Sequence, residues 1–213
     1  MAINHIGSAV GHQPGRPAAS SPDGSNPSVW GVSPTAIPPA RARYFGPSIS
    51  CVAIDYTSLI PTSWPRRPGI DPGIAPNAAR TIHELAGAGL RLVLTSVHDR
   101  DLAPALRAAG IGELFHMIVQ PRTVGAGKPS PLVYSRIITA ADCVPGRVLS
   151  VGPGITNDVT APQLHGLRGV LLPRFDIAYP PLIEDLPQIR DLSVLPRYLG
   201  RQATGRSDAG GQP

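Results

Sequence analysis

Asp55, Thr95 with Ser96, Lys128, and Asn157 with Asp158 follow one another along the chain, each at or beyond the end of a short apolar run. The set supplies a nucleophile, hydroxyl donors, a cation and a further acid. A carboxylate such as Asp55 can attack phosphorus and form an acyl phosphate, which splits a difficult hydrolysis into two easier steps. Such an attack needs charge compensation. A hydroxyl from Ser96 or Thr95 can donate to a phosphoryl oxygen, Lys128 can neutralise the growing charge, and Mg2+ held by carboxylates can draw both partners together.

The segments between these residues say how they would be positioned. Ser48–Asp55 (SISCVAID) reads as a strand that ends on an acid, and Pro76–Gly89 places Ala79, Ile82, Leu85 and Ala86 on one helical face before a closing glycine. LRLVLTS gives a second strand, Asp99–Ala109 a helix with acids at its start, and FHMIVQ a short third strand. A helix over Pro131–Ala141, a strand in RVLSVG, a helix starting at Asn157–Leu164 and a last strand in RGVLLPR complete the alternation. Strand–helix alternation predicts a three-layer α/β/α Rossmann-like fold with a parallel sheet, whose ligands bind where loops leave the carboxyl ends of the strands.

The residues at those ends resemble the haloacid dehalogenase-like (HAD) hydrolase superfamily over about 50–173. Its members carry a nucleophilic Asp, a Ser or Thr, a Lys and a final acidic cluster in this order. The segment GAGKPSPLVYSRIITA looks like the family's G-K-P-x-P-x-x-[FY] stretch through Gly127, Lys128, Pro129, Pro131 and Tyr134. VLSVGPGITNDVTAPQLHGLRGVLL is similar to the family's last motif through Gly152, Asn157, Asp158, Ala161 and Gly166. The resemblance implies a phosphatase-type hydrolase with Asp55, Ser96 and Lys128 as catalytic residues. It also implies Thr95 and Thr57 at the substrate, and Mg2+ on Asp55 and Asp158.

Departures fall at the chemistry itself. The family's first motif reads D-x-D-x-T, whereas this chain reads D-Y-T-S-L, so Thr57 stands where the leaving group's proton donor belongs and Leu59 where the motif threonine belongs. Shifting the register puts Ala53 in the nucleophile's place. Pro153 takes the position of the acid that binds Mg2+ directly. Since Mg2+ is held largely by carboxylates and waters, the expectation is weak or lost magnesium and low or altered activity.

Two other readings compete. One is a noncatalytic HAD-fold protein that binds a phosphorylated ligand or a partner through the same pocket. The other is a metal-independent dehalogenase-type hydrolase, which would also lack the second acid but carries Asn where this chain has Val97. A response-regulator-like phosphoacceptor shares the Asp and Lys but not their order. Only short stretches separate Ile60 from Pro76 and His116 from Lys128, so no separate cap domain is expected. An open site follows, suited to a phosphorylated small molecule or a macromolecular substrate, with Trp64, Arg66 and Arg67 near a phosphate-bearing partner.

Plainer roles exist for each residue. Asp55 can hydrogen-bond the next loop, Lys128 can be a solvated loop lysine, Asp158 can suit a helix N-terminus, and Ser96 or Thr95 can cap the next helix. Asp99 and Asp176 sit at loop ends without an assigned role. His83, His98, His116 and His165 lack metal-ligand spacing and are read as surface or core residues.

The totals bound the rest. In 213 residues, 26 prolines and 23 glycines concentrate outside the apolar runs, so 1–46 and 200–213 are read as disordered tails around a 48–199 domain. Hydrophobic residues make up 42% but aromatics only 5%, so the core must come from Ala, Val, Leu and Ile. A net charge of +5 is spread without a cluster, which disfavours nucleic acid. Cys51 and Cys143 have no metal or disulfide spacing and are read as buried apolar residues in a reduced cytoplasm. No stretch reaches the ~20 apolar residues of a membrane span, and the oligomeric state is left open.

Overall fold

The computed structural model describes residues 49–62, 72–181 and 185–200. The expected tail over 1–46, the expected tail over 200–213 apart from Gly200, which instead ends a helix, and Trp64, Arg66 and Arg67 lie outside these residues. Within them, five strands form one parallel sheet: β1 (Cys51–Asp55), β2 (Arg91–Thr95), β3 (Met117–Val119), β4 (Val148–Gly152) and β5 (Arg168–Leu171). Their spatial order is β3-β2-β1-β4-β5. The chain leaves central β1 toward one edge and returns to β4 on its other side, so a switch point lies between the carboxyl ends of β1 and β4. Open α/β sheets bind ligands at such a crevice.

Side-chain alternation divides the sheet's two faces. Val52 and Ile54 of β1, Leu92 and Leu94 of β2, and Leu149 and Val151 of β4 enter one core. Cys51 and Ala53, Val93, and Val148 enter the other. Successive strand residues point to opposite faces, and both faces are covered, so the strands read as continuous apolar runs rather than alternating ones. The architecture is the expected three-layer α/β/α fold.

The first core is closed by α1 (Pro76–Gly87), α2 (Ala103–Ala108) and α6 (Leu195–Gly200). From α1 it receives Ala78, Ile82 and Leu85, one stripe at helical spacing. After α1, Gly89 takes a φ of 77°, which only glycine adopts freely, and turns the chain into β2. The second core is closed by α4 (Pro131–Ala141), through Val133, Tyr134, Ile137, Ala140 and Ala141. A short α3 (Pro121–Val124) precedes it.

Several expected boundaries move. The strand anticipated over Ser48–Asp55 begins at Cys51, and the helix anticipated over Asp99–Ala109 starts only at Ala103. Ahead of α2, Asp101 accepts the Ala103 amide at 3.0 Å, so that acid serves the turn rather than the helix interior. The segment expected to start a helix at Asn157–Leu164 forms a wide helical turn over Ile155–Thr160 and then α5 (Ala161–Leu164). Cys51 is buried, but Cys143 is only half-buried. Among the described residues, the connections after β1 and β3 carry no cap domain, and no helix is long and apolar enough to cross a membrane.

Candidate active site

Asp55 is the last residue of β1 and, by alternation, shares the face of Cys51 and Ala53 that α4 covers. Lys128 arrives on that side from the loop before α4, and Asp158 comes from the helical turn after β4. The Lys128 ammonium donates to Asp55 Oδ2 at 2.9 Å and to Asp158 Oδ1 at 2.6 Å. These three side chains are only 1%, 5% and 3% exposed, respectively. Lys128 is the chain's one lysine among 19 basic residues. Its compact, flexible amine reaches between two buried acids where a planar guanidinium would need more room.

The remaining oxygens of both acids are also occupied. Thr57 N–H donates to Asp55 Oδ1 at 2.9 Å, and Gly154 N–H donates to Asp158 Oδ2 at 2.8 Å. Gly152 makes the second arrangement possible, because a Cβ there would stand 2.3 Å from the Asp158 carboxyl carbon. Likewise, a Cβ on Gly169 of β5 would meet the Val159 backbone at 2.5 Å, so the turn carrying Asp158 sits flush on the sheet. Tyr134 of α4 donates its hydroxyl to the Asn157 carbonyl at 2.9 Å and stacks on His165 at 5.0 Å. Thus α4 braces the same turn.

Electrostatics follow from burial and the short contacts. Burial alone would lower the Lys128 amine, but the Asp55 and Asp158 carboxylates outweigh it and hold the amine above the ordinary lysine value. Burial raises the Asp158 carboxyl, Asp55 adds to the rise, and Lys128 opposes it. Burial also pushes the Tyr134 phenol up to about 12, in keeping with a hydroxyl that donates.

An open cleft of about 660 Å3 adjoins the cluster and is lined in part by Asp55, Thr57, His98, Arg100, Pro153 and Asp158. The structure brings Asp55, Lys128, Asp158 and Thr57 together. Thr95 pairs with Asp55 across β1 and β2, but it is buried and does not line the cleft. Ser96 is also buried, and its Oγ accepts the His98 N–H at 3.0 Å, the plainer turn-forming role. Asn157 lines the cleft, with its backbone carbonyl tied to Tyr134.

Sequence reading missed several site residues. His98 and Arg100 line the cleft just past β2, and the Arg100 guanidinium lies 5.1 Å from the Tyr56 ring centre. Arg174 and Tyr179 follow β5 and brace the cleft walls. The strand expected in RGVLLPR stops at Leu171, which leaves Arg174 in the segment just past β5. An arginine and a tyrosine downstream of an apolar run were the available signal.

The residues do not fit Mg2+. That ion wants octahedral oxygen ligands and usually keeps several waters beside one or two carboxylates. Here each oxygen of Asp55 and Asp158 already accepts a hydrogen bond, with a buried ammonium between the two acids. The Thr57 carbonyl accepts Arg174 at 2.8 Å, the Pro153 carbonyl accepts Tyr179 at 2.9 Å, and Pro153 offers no carboxylate.

Residues 70–166 match the family model described as haloacid dehalogenase-like hydrolase. The chain is 25% identical over 99 residues to the Xenopus laevis haloacid dehalogenase-like hydrolase domain-containing protein 3, covering 46% of this chain and 41% of that protein. A HAD phosphatase from Thermococcus onnurineus shares the fold with a TM-score of 0.53 and 22% identity, over 60% of this chain and 58% of that one. A HAD hydrolase from Bacillus subtilis, solved bound to magnesium, does so at 0.51 and 22%, over 59% and 56%. The chain spans about two fifths of its curated relative's length. The sequence match over 70–166, the shared fold and the order of the polar residues past the strands all make this chain similar to haloacid dehalogenase-like hydrolases.

Proposed function

We propose that the cleft hydrolyses phosphate esters slowly, with Asp55 as nucleophile. The reading rests on one observation: a buried carboxylate at the end of the central strand, paired to Lys128 at 2.9 Å, lines an open cleft. An Asp55 oxygen attacks phosphorus, the ester P–O bond breaks, and the leaving oxygen takes the bonding pair. Water then cleaves the acyl phosphate, releasing inorganic phosphate and restoring Asp55. Lys128 stays between Asp55 and Asp158 and offsets the charge that builds beside them. Arg100 and His98, at the cleft wall, suit the anionic end of the substrate.

Thr57 cannot protonate the leaving oxygen, and a missing general acid costs about 10²–10⁴ in rate. Phosphate esters whose leaving group departs unprotonated, such as aryl phosphates, are therefore the substrates that turn over. A full chain that hydrolyses p-nitrophenyl phosphate and falls to background as Asp55→Asn meets this reading. Equal rates in wild type and Asp55→Asn would sink it.

A second reading, binding of a phosphorylated ligand without turnover, is favoured by Thr57 and Pro153 at the acid positions. It predicts no wild-type hydrolysis but saturable binding of inorganic phosphate in the same cleft, weakened in Arg100→Ala.

A further inference from the structure

The segment after β5 joins the same two strand exits that an ion between Asp55 and Asp158 would join. On the β1 side, the Arg174 guanidinium donates to the carbonyls of Thr57 at 2.8 Å, Ile60 at 3.1 Å and Pro61 at 3.4 Å. On the β4 side, the Arg174 N–H donates to the Tyr179 hydroxyl at 3.1 Å, which in turn donates to the Pro153 carbonyl at 2.9 Å. Asp176 fixes the guanidinium fork through contacts of 2.9 and 3.1 Å. Arg174 is only 5% exposed.

A surface arginine would gain little from such contacts, because water competes for its donors. A buried arginine with several carbonyl acceptors is a fixed cross-link, since breaking it strands a charge. Arg174 holds the loop whose Thr57 N–H steadies Asp55. Tyr179 holds the backbone next to Gly154, whose N–H steadies Asp158. Lys128 supplies the positive charge between the two acids.

We propose that Arg174 is a positioning residue that, with Tyr179 and Lys128, ties the exits of β1 and β4 so that the pocket is assembled without a divalent ion. The Thr57 carbonyl is committed to Arg174, and Mg2+ is not recruited to Asp55 and Asp158. The claim concerns assembly of the pocket and holds whether the cleft hydrolyses or only binds.

The single lysine gives a direct test. Full-length protein labelled with [ε-13C]lysine reports Lys128 as one side-chain resonance. Millimolar Mg2+ or EDTA should leave that resonance unmoved in the wild type. Pro153→Asp adds a ligand, and Pro153→Asp with Arg174→Gln also releases the Thr57 carbonyl, so the double variant should bind Mg2+ at least about tenfold more tightly than the single one. A saturable wild-type shift abolished in Asp158→Asn overturns the proposal, as does equal Mg2+ affinity in the single and double variants. Should the double variant fail to fold, Tyr179→Phe decides the tie. Amide exchange at Gly154 should then speed up severalfold, and an unchanged rate overturns it.

Discussion

At the scale of single residues, the site is a charge arrangement that only burial makes consequential. Lys128 between Asp55 and Asp158 sits almost free of solvent, so removing the amine leaves two carboxylates facing each other without compensation. Lys128→Met should cost about 3–5 kcal/mol in urea unfolding at neutral pH. Because the folded amine lies above its ordinary value of 10.5, its stabilisation is fully present below that pH and is lost as pH rises through the higher folded value. The Lys128 resonance of folded protein should therefore stay unshifted up to pH 10.5. Titration below that value would mean that the ion pairs are broken in solution. The sequence offered Asp55, Lys128 and Asp158 as separate residues at or beyond the ends of apolar runs, with Gly127 and Pro129 flanking Lys128 in the stretch that resembles the family's. Their mutual distances depend on which strands are neighbours, which no local stretch encodes.

At the scale of elements, two close approaches keep the turn after β4 in place. Gly152→Ala would drive a methyl group against the Asp158 carboxyl, 2.3 Å away, and Gly169→Ala would drive one into the Val159 backbone at 2.5 Å. Overpacking of this kind costs about 1–3 kcal/mol. Both variants should lose stability, and Gly152→Ala should also lose any Asp55-dependent turnover as Asp158 is pushed off Lys128. Gly146→Ala, with nothing within 4 Å of the added carbon, serves as the control and should unfold like the wild type. Unfolding curves of the three compare these effects. The element order was legible because apolar runs and amphipathic stretches alternate cleanly. The π-like turn over Ile155–Thr160 was not, because helical periodicity looks the same whether the turn is tight or wide.

At the scale of the whole molecule, β1 lies at the centre of the sheet, with β2 on one side and β4 on the other. Its side chains feed both cores, so a truncation there is felt across the domain. Ile54→Ala, at a position with no solvent exposure, should cost about 2–5 kcal/mol by transfer and cavity effects. A thermal or urea midpoint indistinguishable from wild type would mean that the core collapses around the gap.

Residue type, order and local periodicity by themselves determined the fold class and put Asp55 at the end of one apolar run with Lys128 and Asp158 beyond two others, and only the resemblance marked Thr57 and Pro153 as standing where relatives carry acids. Tertiary structure decided which groups meet. It turned Ser96 toward the His98 amide, brought His98 and Arg100 to the cleft, and carried Arg174 across to the loop after β1. Those contacts join residues far apart in the chain, as Thr57 and Arg174 are, and only the packing of parallel strands around a shared switch point brings such partners within hydrogen-bonding distance.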